Sequence, residues 1–115
     1  KEPIPNLDIS NFVRSGLLGL HKSISKELAK DNINVHMVLP ASILTSRSKS
    51  IIQNRAEVMN ISFDESMQIS NSRIPKGHLG DPSDVGNLVA FLCSDQANFL
   101  TGTSINVDGG VTKSI

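Results

Sequence analysis

Three histidines, one cysteine and a few close-set charges are the side chains in this sequence whose chemistry reaches beyond packing. An imidazole titrates near neutrality, so His21, His36 and His78 each raise an acid/base or metal-ligand reading. They do not cluster in sequence, and the single Cys93 adds no Cys/His pair at metal-ligand spacing, so no metal site is expected. The three read as surface or structural histidines, and Cys93, on an apolar helical pattern, reads as a packed thiol. Asp64 and Glu65 look like paired acids but stand where the first turn of a helix favours carboxylates. Arg47, Lys49, Arg55 and Arg73 lie close enough in sequence to meet an anionic substrate such as a phosphopantetheine or CoA ester, although a solvated basic surface explains them as well. Tyrosine and tryptophan are absent.

The elements that must position these groups follow from hydrophobic spacing. Ile9, Phe12, Val13, Leu17, Leu20, Ile24 and Leu28 recur at helical intervals, predicting a helix over residues 8–30 with Asp8 as its cap and Asn32 as its stop. Alternation from Ile33 to Leu39 predicts a strand over 33–39, ended by Pro40, which lacks a ladder donor. The pattern then loosens, with short helices expected near 47–56 and 64–71 inside a mobile, lid-like segment that spans 46–74. Pro75, Gly77, Gly80 and Pro82 punctuate the chain before a helix over 82–94, capped by Asp81 or Ser83. Thr103 to Val107 reads as a second strand, and Asp108-Gly109-Gly110 as the turn after it.

Strands joined through a helix run parallel with a right-handed crossover, and parallel sheets are covered on both faces. Two strands leave edges and part of a face open, so further strands are expected from outside these residues. The fold class is α/β, in the order helix, strand, variable loop, helix, strand. In open α/β sheets ligands bind at the carboxyl ends of the strands, which singles out the loop from Pro40 to Thr45.

Bulk properties narrow the function. Hydrophobic residues make up 38% and charged residues 19% of 115 residues, the proportions of a folded globular chain. Eleven basic residues balance eleven acidic ones, so no global field favours nucleic acid or an anionic membrane. The opening Lys-Glu-Pro-Ile-Pro has no signal-peptide or membrane-span character, and a cytoplasmic location is expected. There the Asn60-Ile61-Ser62 sequon would be idle.

Four stretches together resemble the classical short-chain dehydrogenase/reductase family. They are the first helix with Gly19-Leu20 and Lys26-Glu27-Leu28-Ala29; Ile33-Asn34-Val35 running to Leu39-Pro40-Ala41, Ile43 and Thr45; Ile74 to Pro82; and Val89-Ala90-Phe91-Leu92 through Thr101-Gly102 to Asn106-Val107-Asp108-Gly109-Gly110. The resemblance implies the C-terminal half of one Rossmann-type doubly wound parallel sheet, incomplete as a stand-alone domain, covering residues 1–115 with a substrate-covering segment at 46–74. The glycine-rich nucleotide turn belongs to the other half, and no Gly-x-Gly-x-x-Gly occurs in this chain.

The resemblance also implies a chemistry and a departure from it. Family members carry a tyrosine and, four residues later, a lysine on the long helix, where phenol and ammonium relay a proton to the carbonyl oxygen. Counting back from Gly19-Leu20 puts Ser10 and Arg14 at these catalytic positions. A serine hydroxyl is a far weaker acid than a phenol, whereas Arg14 keeps a positive charge that can contact cofactor ribose. The cofactor, NAD or NADP, would further meet Pro40, Ala41, the Ile43 backbone and Thr45, with Ala41 standing where glycine is usual. Implied partners are a small-molecule substrate, the protein's own N-terminal half and identical subunits in a homodimer or homotetramer, with Phe12, Leu17 or Leu18 at the interface; no nucleic acid or membrane is implied. The expected activity is NAD(P)-dependent oxidoreduction of a carbonyl or alcohol, of the 3-oxoacyl thioester type. The alternative is a nucleotide- or partner-binding protein that has lost the reaction.

Overall fold

A computed structural model describes residues 2–114. Helix α1 covers Asp8–Leu28, strand β1 Met37–Pro40, helix α2 Ser46–Met59, helix α3 Phe63–Asn71, helix α4 Pro82–Leu92 and strand β2 Ser104–Val107. β1 and β2 form a two-stranded parallel sheet, with Met37 opposite Ser104 and Pro40 opposite Val107. α1 is followed by a 3-10 turn, Ala29–Asp31, and the left-handed Asn32 (φ 58°) stops it as the sequence predicts.

Several expectations are corrected in detail. α1 ends at Leu28 rather than residue 30, and its cap position is Leu7, with no side-chain cap; Asp8 sits inside the first turn. The ladder starts at Met37, not Ile33. Upstream, the Val35 amide bonds the Thr101 hydroxyl and the Val35 carbonyl accepts from the Gly102 amide, so this stretch is tied to a loop instead of a strand. Pro40 does not end the ladder early. The Met37 amide donates to the Thr103 carbonyl (2.9 Å) and the Ala41 amide to the Val107 carbonyl (3.0 Å), so by alternation the Pro40 nitrogen faces away from β2 and its missing N–H costs no bond in this ladder. β2 begins at Ser104, one residue later than expected, and α4 stops at Leu92, two residues earlier.

The two short helices expected within residues 46–74 are present as α2 and α3, each somewhat longer or earlier than expected, and they form a packed pair. Ile52 and Ala56 lie one turn apart on α2 and are buried, as is Ser66 of α3, whose hydroxyl donates to the Ile52 carbonyl at 2.8 Å. Across the same seam the Arg55 guanidinium donates to the Ser70 hydroxyl at 3.1 Å. A small side chain and a self-satisfying hydroxyl allow two short helices to approach closely without a wide apolar stripe.

α4 begins at a full capping box: the Asp81 carboxylate accepts from the Ser83 amide (2.8 Å), and that of Asp84 accepts from the Asp81 amide (2.8 Å). Ser62 and Glu65 do the same for α3, which accounts for the acidic pair at 64 and 65. Cys93, expected to be packed, is the exposed residue that closes α4.

α1 docks through its C-terminal half only. Lys22 Nζ donates to the Gly102 carbonyl at 2.7 Å, and the Ser25 side chain lies against Gly102. Gly102 has φ +66°, and a Cβ there would lie 2.5 Å from Ser25 Oγ. An alanine therefore meets both a left-handed backbone and a clash. Gly102→Ala is expected to lower stability by roughly 1–3 kcal/mol, read from the urea midpoint at unchanged m-value.

Candidate active site at the carboxyl ends of the strands

The carboxyl ends of β1 and β2 open into a cleft of about 560 Å³. Ala41 to Ile43 line it from β1, Asn106 to Gly110 from β2, Ile74, Lys76, His78 and Gly80 from the loop before α4, and Asp84 from α4 itself.

The β1 loop is held in a defined shape. Gly80 donates to the Ser42 carbonyl (2.9 Å) and accepts from the Leu44 amide (2.8 Å), making a parallel bridge between Ile43 and Gly80. In such a bridge the flanking residues make the bonds, so the N–H and C=O of Ile43 itself point to the opposite side. Neither has a hydrogen-bond partner among the described residues. A donor and an acceptor side by side on one residue match a primary carboxamide, the polar group of a nicotinamide ring. Ala41 takes the usual negative φ; the left-handed residue is Ser42 (φ 57°). The Thr45 hydroxyl is committed to α2, where it caps the helix and accepts from the Ser48 amide at 3.3 Å. A Cβ at Gly80 would lie 2.9 Å from Ile43 Cδ1 and 3.2 Å from an Asp84 carboxylate oxygen, so a larger residue there obliges these side chains to shift.

Ser10 and Arg14 do not line the cleft. Ser10 is half-buried, Arg14 is exposed, and neither side chain makes a hydrogen bond among the described residues. Their placement follows from how α1 runs. Ser25 touches Gly102 and His21 Nε2 lies 3.2 Å from Ser104 Oγ, so α1 is antiparallel to β2. At about 1.5 Å per helical and about 3.3 Å per strand residue, the three steps from Ser104 to Val107 match about seven helical residues. Seven residues before His21 is Arg14, on the same helix face, with Ser10 one turn further on. Helical rise thus carries the pair from His21 toward the carboxyl-end side of the strands, outside the lining of the cleft.

The remaining candidates divide. His36 Nδ1 is 2.8 Å from the Thr103 hydroxyl. Thr103 and Ser104 are consecutive residues that project to opposite faces of the extended chain, so His36 and His21 pack on either side of it as structural groups. Arg55 is spent on α3, and neither Arg47, Lys49 nor Arg73 lines the cleft; Lys49 borders a separate groove on the outer flank of α2. His78, read from sequence as a surface or structural histidine, and Lys76, which that reading did not single out, do line it; the signal was their place in a Pro- and Gly-punctuated loop directly before a helix.

The turn after β2 carries its own charge. Asp108 is buried, with one carboxylate oxygen accepting from the Gly110 amide (2.9 Å) and the other from the Thr112 amide (3.0 Å). Hydrogen bonding from Thr112, chiefly through its side chain, holds this carboxyl below the usual carboxylate range, burial opposes it, and the Gly110 amide adds to the lowering. A depressed folded-state pKa stabilises above the ordinary carboxylate value of about 4 and is lost as pH falls through the folded value. Asp108→Asn is therefore expected to lower the melting temperature at pH 7 and to lose that difference progressively below about pH 4.

The family model described as enoyl-(acyl carrier protein) reductase matches residues 1–112. The NADPH-dependent reductase BacG of Bacillus subtilis is 34% identical over all of this chain and 44% of its own length. Human (3R)-3-hydroxyacyl-CoA dehydrogenase is 34% identical over 94% of this chain and 38% of its own. A short chain dehydrogenase family protein from Francisella tularensis superposes with a TM-score of 0.88 at 32% identity, covering 97% of this chain and 46% of that structure. The chain thus spans under half the length of these relatives, which bears out the expected portion of a Rossmann-type α/β sheet. On these grounds the chain belongs to the short-chain dehydrogenase/reductase family.

Proposed function

We propose that the protein carrying this chain is an NAD(P)-dependent oxidoreductase acting on a carbonyl or alcohol, with a 3-oxoacyl or 3-hydroxyacyl thioester as the favoured substrate. The observation that carries the reading is the unpaired amide edge of Ile43 at the carboxyl end of β1, beside a cleft large enough for a small substrate. The substrate class rests on the printed activity of the human relative, and the nicotinamide cofactor on that of BacG.

Within this reading, the Ile43 N–H and C=O hold the carboxamide, and the backbone of Pro40 and Ala41 shapes the wall beside the ring. The Thr45 hydroxyl, which accepts from the Ser48 amide and donates to the Ser48 hydroxyl, stays with the α2 cap beside this loop. Arg14 reaches ribose hydroxyls, and Ser10 orients a water or the substrate oxygen. When bound, the reduced dinucleotide supplies hydride to the carbonyl carbon. The α2–α3 pair, with residues 46–74, walls the substrate side.

Ser10 and Arg14 favour a second reading, in which the protein binds nucleotide without turnover, because a serine hydroxyl is a poor proton donor beside a phenol. Fluorescence titration of the natural-length protein with NADH and NADPH, followed by a carbonyl screen of wild type against Ser10→Tyr/Arg14→Lys, separates them. The oxidoreductase reading expects cofactor binding and wild-type turnover. Binding with turnover only in the double variant would establish the second reading, and no binding would defeat both.

The same protein is proposed to act as a homodimer or homotetramer through the outer face of α1. Ile9 and Phe12 are 83% and 81% exposed, and with Val13 and Leu20 they form an apolar stripe about 120° around the helix from the line of Ser10, Arg14 and His21. Leu17 and Leu18 flank that line and are the weaker interface candidates. Phe12→Asp is expected to shift the light-scattering mass of the natural-length protein to that of a monomer; a monomeric wild type would exclude the association.

A further inference from the structure

The half of α1 that carries Ser10 and Arg14 takes its position from something other than the strands. The helix meets β2 and the residues before it through His21, Lys22 and Ser25. Of residues 8–20, only Ser10, Asn11 and Leu18 are half-buried; the rest are exposed. A helix end with so few packed side chains opens readily unless it is tied.

A series of hydrogen bonds ties it. Asn11 Oδ1 accepts from the Ile4 amide (3.0 Å), and Asn11 Nδ2 donates to the Ile4 carbonyl (2.8 Å). Two residues earlier, one oxygen of the Glu2 carboxylate, Oε1, accepts from the Lys113 and Ser114 amides at 2.7 and 2.6 Å. These amides follow directly on Thr112, whose own amide is held by the buried carboxylate of Asp108, the first residue past β2. The route thus runs from Asn11 through Ile4, Glu2 and the tail to the carboxyl end of β2. Pro3 and Pro5 flank Ile4 with φ fixed, and Asn6 is left-handed (φ 64°), so the segment has little slack. Asn11 and Arg14 are neighbours at i and i+3 and Ser10 adjoins Asn11, which puts the tie on the turn that carries both.

A carboxylate oxygen that accepts two amides at these lengths makes charge-assisted bonds. Glu2 is exposed, and water competes for both amides, so the grip adds little to global stability and acts chiefly on geometry.

We propose that Glu2 is a positioning residue for the cofactor side of the site, an inference that rests on the ribose contact proposed above for Arg14. Its grip on the tail fixes the first turns of α1 against the end of β2 and thereby fixes Arg14. Glu2 acts through Ile4 and Asn11, without touching the cofactor itself.

The test is a fluorescence titration with NADPH of the natural-length protein, as wild type, Glu2→Ala, Glu2→Gln, Arg14→Ala and the double variant Glu2→Ala/Arg14→Ala. Glu2→Ala removes the grip and is expected to weaken NADPH binding about 3–10-fold, the worth of one hydrogen bond no longer held in place, at an unchanged melting temperature. Glu2→Gln keeps a carbonyl oxygen to accept both amides and is expected to restore binding to near wild type. With Arg14 already removed, Glu2→Ala should weaken binding no further, because the two residues act in one line. Amide NMR reads the grip directly: the Lys113 and Ser114 resonances should move in Glu2→Ala and return toward wild type in Glu2→Gln. Unchanged NADPH affinity in Glu2→Ala, a loss that Glu2→Gln does not restore, or a loss that persists in the Arg14→Ala background would overturn the positioning role while leaving nucleotide binding intact. Failure of wild type to bind NADPH would overturn the nucleotide reading and this inference with it.

Discussion

Four residue pairs of parallel ladder, from Met37 with Ser104 to Pro40 with Val107, fix where everything else in this chain can be. Parallel strands end at the same edge, so the loops that leave β1 and β2 emerge together and define the cleft between them. The Ile43–Gly80 bridge extends this order past the strand end and brings the loop before α4 into the same register. Without that bridge neither the Ile43 amide edge nor the His78 loop would have a defined position.

The second constraint is the close approach of α1 to Gly102. A residue without a side chain, in a left-handed conformation, lets Ser25 and Lys22 settle onto the chain just before β2. From that anchor the helix runs back along the strand, its axial position set by His21 against Ser104. The level of Arg14 and Ser10 then follows from the rise of a helix against that of a strand. The apolar stripe on α1 follows too, because a helix that offers one face to its own sheet turns the rest of its surface outward.

Much of this was legible in sequence. Helical spacing found α1 and α4, Asn32 announced its stop, and Asp81 its cap; the stretch from Asp108 to Gly110 read correctly as a turn. What failed had physical reasons. The stretch at Val35 has the alternation of a strand, yet it is held by a threonine hydroxyl and a loop amide, contacts that periodicity does not encode. The helices α2 and α3 were expected, but not their packed seam, because it uses Ala56 and Ser66, where a wide hydrophobic stripe would have been visible. Cys93 was misplaced by one residue of helix end: a helix stopping at Leu92 leaves it as an exposed cap. At the site, Ala41 to Ile43 of the expected loop line the cleft and Pro40 and Thr45 do not, whereas His78 looked isolated because its neighbours in space come from three separate segments.

Contact between a nicotinamide and the amide edge of Ile43 is the interaction on which the proposed function depends. The direct measurement is the backbone amide spectrum of the natural-length protein, isotope-labelled, recorded during addition of NADPH. The Ile43 and Leu44 amides should shift with saturation, while the amides of the Ala29–Asp31 turn, at the other end of the strands, stay in place. Saturable binding that leaves Ile43 unmoved, or no response at any amide of the cleft, would contradict the account.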